Sequence, residues 1–100
     1  MPYARFNEFE PSEDRSTPTY DGVHAELNVE QDPPAGLIFH SAGFGENGAF
    51  RIYEVWETRE QAEEFLNERI MPAVNKVTEG DPSPPATQEL YELHNFIRGR

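Results

Sequence analysis

The chain has 100 residues, enough for one small domain spanning 1–100 with a single core. It has no cysteine, which excludes disulfides and thiolate metal sites. No apolar run is long enough for a bilayer and MPYARFNEF lacks a secretory pattern, so a cytoplasmic location is expected. Nineteen Asp and Glu against eight Lys and Arg give a formal charge of −11, which argues against nucleic acid and anionic membrane as partners.

Tyr3 to Phe9 alternates Tyr3, Arg5, Asn7 and Phe9 against Ala4, Phe6 and Glu8, which predicts a first strand. A polar loop with two prolines follows over 10–19. Thr17-Pro18-Thr19 then starts a short helix whose stripe is Tyr20, Val23, His24 and Leu27, about three turns at most. Pro33 and Pro34 close it. Leu37 to Ala42 and Phe50 to Trp56 are apolar runs that predict two strands, joined through Gly43, Gly45 and the hairpin pair Asn47-Gly48. A second helix starts at once: Thr58 and Gln61 form a capping box, and Ala62, Phe65, Leu66, Ile70, Ala73, Val74 and Val77 fall on one face. Pro72 lies inside that stripe and is expected to kink or break the helix near Ile70 and Met71. After a proline-rich loop, Leu90 to Ile97 is the expected last strand, and Arg98-Gly99-Arg100 a basic tail.

The order is β-α-β-β-α-β, an α+β ferredoxin-like unit with a four-stranded antiparallel sheet and both helices on one face. The strands are apolar on both alternating faces, so one face is left uncovered. A two-fold, sheet-to-sheet homodimer forming an α/β barrel is the economical solution.

Strand, hairpin, then Tyr53-Glu54-Val55-Trp56-Glu57-Thr58-Arg59-Glu60-Gln61-Ala62 and Phe65 resembles the dimeric α/β-barrel superfamily, in its antibiotic-biosynthesis-monooxygenase-like branch of small, mostly uncharacterised proteins. The motif is confined to Ile52–Phe65, whereas the topology covers most of the chain. The resemblance implies a small organic molecule held in or beside the barrel, with Trp56 and Asn7 in the places of a pocket tryptophan and asparagine. The segment Glu64-Phe65-Leu66-Asn67-Glu68-Arg69 departs from relatives that carry a histidine on this helix, so the resemblance implies no haem site there.

His40 is the leading candidate for chemistry, an ionisable ring in an apolar strand, able to act as a base once a carboxylate orients it. The alternative is a core histidine bonding a backbone carbonyl. Glu54 on the neighbouring strand is the candidate partner, and register decides. A two-residue Asn47-Gly48 turn would place His40 against Tyr53 and Val55, while a bulge at Gly43 or Gly45 would bring Glu54 onto its face. Tyr20 and His24 share a helix face, where packing against the sheet and a place at a pocket mouth both fit. His94 and Asn95 alternate faces on the expected last strand, so one of them points inward. The histidines lack metal-ligand spacings, so no metal is expected, and no cofactor is expected either.

The expected protein is therefore a homodimer binding a small aromatic or apolar compound in a cavity walled by Trp56, Phe50, Ile52 and the facing sheet. As an enzyme it would be a cofactor-independent monooxygenase or a proton-transfer catalyst of the isomerase or cyclase type. His40 would then be the base, Glu54 or Asn7 would orient it, and Trp56 would pack the substrate. The alternative is a non-catalytic ligand-binding or structural dimerisation protein.

Overall fold

The computed structural model describes residues 1–99, so Arg100 of the expected basic tail lies outside the described residues. Its elements are β1 (Tyr3–Glu8), α1 (Pro18–Leu27), β2 (Leu37–Phe44), β3 (Phe50–Trp56), α2 (Arg59–Phe65), a π-helical turn (Leu66–Ile70), α3 (Met71–Val77) and β4 (Thr87–Glu92). The sheet is antiparallel in the order β2-β3-β1-β4, the expected ferredoxin-like arrangement.

Pro72 does not break the second helix. Phe65, Leu66, Ile70 and Met71 all keep right-handed helical dihedrals, and the Met71 N–H reaches back five residues to the Leu66 carbonyl. Widening the spiral by one residue makes room for the proline ring against the preceding turn, while the missing Pro72 N–H costs one ladder bond. The helix therefore continues to Val77, starting from Thr58, whose hydroxyl accepts from the Gln61 N–H at 3.2 Å.

The last strand differs from expectation at both ends. It begins at Thr87 and stops at Glu92, because β1 supplies partners only from Glu8, opposite Thr87, to Tyr3, opposite Glu92. One further bond, Leu93 N–H to the Pro2 carbonyl, exhausts that edge, so His94 to Ile97 lie beyond the strand. The polar residues Thr87, Gln88 and Glu89 pair as well as apolar ones would, since ladder bonds are made by the backbone.

Register follows from the hairpin. Phe44 pairs with Phe50, leaving a five-residue loop from Gly45 to Ala49 rather than a two-residue turn. Gly48 sits at φ +85°, and a Cβ there would lie 2.8 Å from the Ser12 carbonyl oxygen, so this position suits glycine alone. The odd loop length gives same-parity pairing: Ala42 faces Ile52, and His40 faces Glu54. Neither Gly43 nor Gly45 bulges. The irregularity lies between Leu37 and Phe39, which lets Leu37 pair with Trp56.

Two sheet faces result. Under the helices, Trp56 packs against Phe65 with the rings tilted by 43°, and with Ala62 they form the core, packed by Leu27, Val29, Leu37, Ile70 and Leu90. The opposite face carries the cross-strand row Phe39–Val55–Ala4–Tyr91 and, beside it, Ser41–Tyr53–Phe6–Glu89. Phe39 and Tyr91 remain 40% and 41% exposed, so this face is uncovered in the single chain. Among the described residues no helix is long and apolar enough to cross a membrane.

Candidate functional site

The helix-covered face of the sheet holds an ionic row dictated by register. His40 on β2, Glu54 on β3 and Arg5 on β1 are direct cross-strand neighbours, which places the carboxylate between two basic groups. Glu54 Oε1 accepts from Arg5 Nε at 2.8 Å and from Trp56 Nε1 at 3.2 Å. Its Oε2 meets His40 Nδ1 at 2.7 Å. The Glu54 side chain is only 4% exposed, so the charge survives burial through these three donors. Burial by itself would raise the Glu54 carboxyl, but the His40 hydrogen bond and the Arg5 charge outweigh it and hold the group at about 2.

Asn7 extends the row. With its amide oxygen turned towards the guanidinium it accepts from Arg5 Nη1 at 2.9 Å and donates to the Phe6 carbonyl at 3.0 Å. It lies opposite Ile52 on β3, one pleat along the same face. Tyr20, from the first turn of α1, closes the other end: its hydroxyl is 2.6 Å from His40 Nε2 with the ring planes 7° apart, and its edge meets Phe50 at 5.2 Å. Burial, then the negative charges of Glu54 and Asp21, push the Tyr20 phenol up, so it keeps its proton. His24 stacks on Tyr20 one turn later and approaches Glu30 at 3.4 Å.

The arrangement suits proton transfer. Glu54 is a fixed acceptor for Nδ1–H, and this leaves Nε2 with the lone pair, the position of a general base. β2 is an outer strand, and 26% of the His40 side chain is exposed, so the ring is reached from the sheet edge beside α1.

The residues expected from sequence are brought together differently from the expectation. His40, Glu54 and Asn7 share one network, and Phe50 and Ile52 lie on the same face. That face is the one under the helices, so Trp56, Phe50 and Ile52 do not wall a cavity between two sheets. The uncovered side carries Phe39, Tyr53, Phe6 and Tyr91 instead. Trp56 is fully buried, and its indole N–H serves Glu54. His94 stands outside the strand and outside the network.

Arg5 is a central residue to which the sequence reading assigned no role, and Tyr20 one expected against the sheet or at a pocket mouth but not on His40. A signal existed for Arg5, a lone cation in register with Asn7 on an apolar strand. Tyr20's partner depended on how α1 lies over the sheet.

Two surface depressions lie apart from this row. One of about 110 Å³ is bordered by Pro34, Gln61, Phe65 and Arg69, and one of about 500 Å³ by Leu27, Asp32, Arg69, Ala73 and Lys76. Neither touches His40, and neither carries a base oriented by a carboxylate. Among the described residues no group of three or more His, Asp or Glu side chains is placed to hold a metal ion.

No protein-family model matches the chain. No curated protein matches its sequence. Solved structures do match its fold. Rv0793 from Mycobacterium tuberculosis superposes with a TM-score of 0.71 at 15% identity, over 98% of this chain and all of that one. A candidate antibiotic biosynthesis monooxygenase from Deinococcus radiodurans gives 0.67 at 14% identity, over 100% of this chain and 99% of that one. A variant of SnoaB, a cofactor-independent oxygenase from Streptomyces nogalater, gives 0.64 at 12% identity, over 98% of each chain. At these identities the likeness is one of fold: the chain has the ferredoxin-like architecture of antibiotic-biosynthesis-monooxygenase-like proteins.

Proposed function

We propose that this chain is a small enzyme that begins its reaction by removing a proton from a small aromatic or apolar compound, and that it works as a homodimer. The observation that supports this is the ordered row Arg5–Glu54–His40, with Nδ1 committed to a carboxylate and Nε2 left as the acceptor. His40 is the base. Glu54 fixes its tautomer and stabilises the imidazolium that forms. Arg5 keeps Glu54 anionic, so the proton stays on the imidazole. Asn7 braces Arg5, and Phe50 with Ile52 offers apolar surface next to the base.

The substrate anion then has two exits. Reprotonation at another carbon gives an isomerase or cyclase. Attack of the anion on dioxygen gives a cofactor-independent monooxygenase, in which a methylene and one O2 become a carbonyl and one water. The likeness in fold to SnoaB, described as a cofactor-independent oxygenase, supports the second.

The homodimer rests on the uncovered face. Phe39, Tyr53, Phe6 and Tyr91 form an aromatic patch floored by Ala4 and Val55, bordered by the Arg51–Glu8 ion pair at 2.6 Å. A second copy presents the same apolar patch, with Arg51 and Glu8 neutralising each other at its border, which fits an isologous two-fold contact.

Oxygen uptake with anthrone, whose methylene lies between two aromatic rings, tests the chemistry. Turnover should be lost in His40→Ala with the fold and assembly intact. An undiminished rate in that variant removes His40 from the reaction. One observation favours a second, non-catalytic reading: the chain's own donors and the Tyr20 hydroxyl satisfy every member of the row. On that reading His40→Ala costs about 1–3 kcal/mol of stability and alters no turnover.

A further inference from the structure

The nitrogen that His40 needs for catalysis is already taken. Tyr20 Oη sits 2.6 Å from Nε2, so no substrate proton can reach that lone pair while the contact stands. Tyr20 belongs to α1, a helix in which no residue is fully buried. A ten-residue helix without a buried side chain has little holding it to the sheet beneath.

Its attachments are uneven along its length. Towards its C-terminal end Arg69 Nη2 donates to the Leu27 carbonyl at 2.9 Å, and Lys76 pairs with Glu26 at 2.7 Å. Near the middle, Gly22 presses on Val77 so closely that a Cβ would lie 2.9 Å from Cγ1. All three contacts fasten α1 to the helical layer, not to the sheet. At the first turn the side chain that reaches the sheet is Tyr20, through its hydroxyl to His40 and its edge to Phe50. The preceding segment 10–16 is wholly exposed and places no side chain in the core. Its ties are to the hairpin, through the Ser12 N–H to the Gly48 carbonyl at 3.4 Å and Arg15 over the Phe44 ring at 4.8 Å, and none of them holds Tyr20 to His40.

We propose that Tyr20 is a latch: α1 is a lid hinged on α3 and the π-helical turn, and release of the Tyr20 hydroxyl from His40 opens the site. The inference rests on the proton-transfer reading, because it assigns the regulation of that same base. Local opening of a weakly buried element is a motion that native proteins make without global unfolding. In the closed state Tyr20 supplies the hydrogen bond that a substrate later replaces, so His40 Nε2 is satisfied in both states. Tyr20 is thus a positioning residue whose departure, not its chemistry, is needed.

The test needs no substrate, and so separates failure of the latch from failure of the proposed reaction. Tyr20→Phe keeps the ring and removes the hydroxyl. By hydrogen exchange on the full chain, amides of residues 21–27 should exchange about five- to tenfold faster in Tyr20→Phe, the loss of one neutral hydrogen bond, with β3 and α2 unchanged. Carbethoxylation of His40 by diethyl pyrocarbonate, read by mass spectrometry, should rise by a similar factor, while the exposed His94 reacts as before. In the wild type, α1 amides should exchange ahead of those in α2. Unchanged exchange and labelling in Tyr20→Phe overturn the latch. So does a uniform rise across all elements, or wild-type α1 protected as strongly as α2.

Discussion

Replacing Glu54 by Gln removes one charge and keeps the shape, so it isolates what the carboxylate does. The side chain is 4% exposed and accepts from Arg5, His40 and Trp56 at 2.8, 2.7 and 3.2 Å. Folding carries its carboxyl from 4.5 to about 2, because the His40 hydrogen bond and the Arg5 charge exceed the penalty of burial. That fall corresponds to about 3 kcal/mol of stability at neutral pH. The native value is the depressed one, so the contribution is fully present above pH 4.5 and is lost as the pH falls towards 2. Glu54→Gln should therefore be less stable at pH 7 by about 3–5 kcal/mol, since a buried guanidinium is left without its counter-charge. The amide also turns an N–H towards His40 Nδ1, which reverses the tautomer and makes Nε2 a donor, so turnover should fall with stability. Urea unfolding at pH 7 and at pH 3 measures this, and the gap between wild type and variant should shrink at the lower pH. A loss below about 1 kcal/mol at pH 7, or a gap independent of pH, would show that the row is not an electrostatic unit.

Thr58→Ala should cost about 1 kcal/mol in chemical denaturation, because the helix loses the oxygen that accepts from the Gln61 N–H. Tyr53→Glu, on the uncovered face, should abolish the proposed dimer in light scattering while leaving the monomer folded. Ile52→Glu, on the face under the helices, should lower the melting temperature instead. Raising sodium chloride from low to molar concentration should raise the melting temperature, since a net charge of −11 repels itself over about 10 Å at 0.1 M salt and about 3 Å at 1 M. A flat response would mean that local pairs already neutralise the surface.

Topology was legible because hydrophobic periodicity and turn chemistry are local. The capping box at Thr58 and the stripe from Ala62 to Val77 give the second helix by themselves, and the two apolar runs give β2 and β3. The site was legible only to its residue types. His40 and Glu54 stand out as polar groups in apolar strands, but whether they meet depends on whether the hairpin loop is odd or even in length. Five residues from Gly45 to Ala49 decide that, and the attractive Asn47-Gly48 pair points to the wrong count. The face assignment failed for a related reason. Both faces of β3 are apolar, so alternation cannot say which side the helices cover. The ends of β4 were hidden because backbone pairing with β1, not side-chain character, sets them.

The π-helical turn between Leu66 and Ile70 ties the chain's tolerance of length to its composition. A one-residue deletion there would remove the residue that the wide turn absorbs, so what lies beyond would keep its faces: Ala73 its buried seat, and Val77 its place against Gly22. Pro72 would then stand in an unwidened spiral, its ring against the carbonyl four residues back. A deletion inside α3 ahead of Val77 has no such slack, and would turn Val77 by about 100° away from Gly22. Homologous chains should therefore show a one-residue gap at the wide turn only where the proline is replaced as well, and should keep the residue count from Ala73 to Val77 fixed.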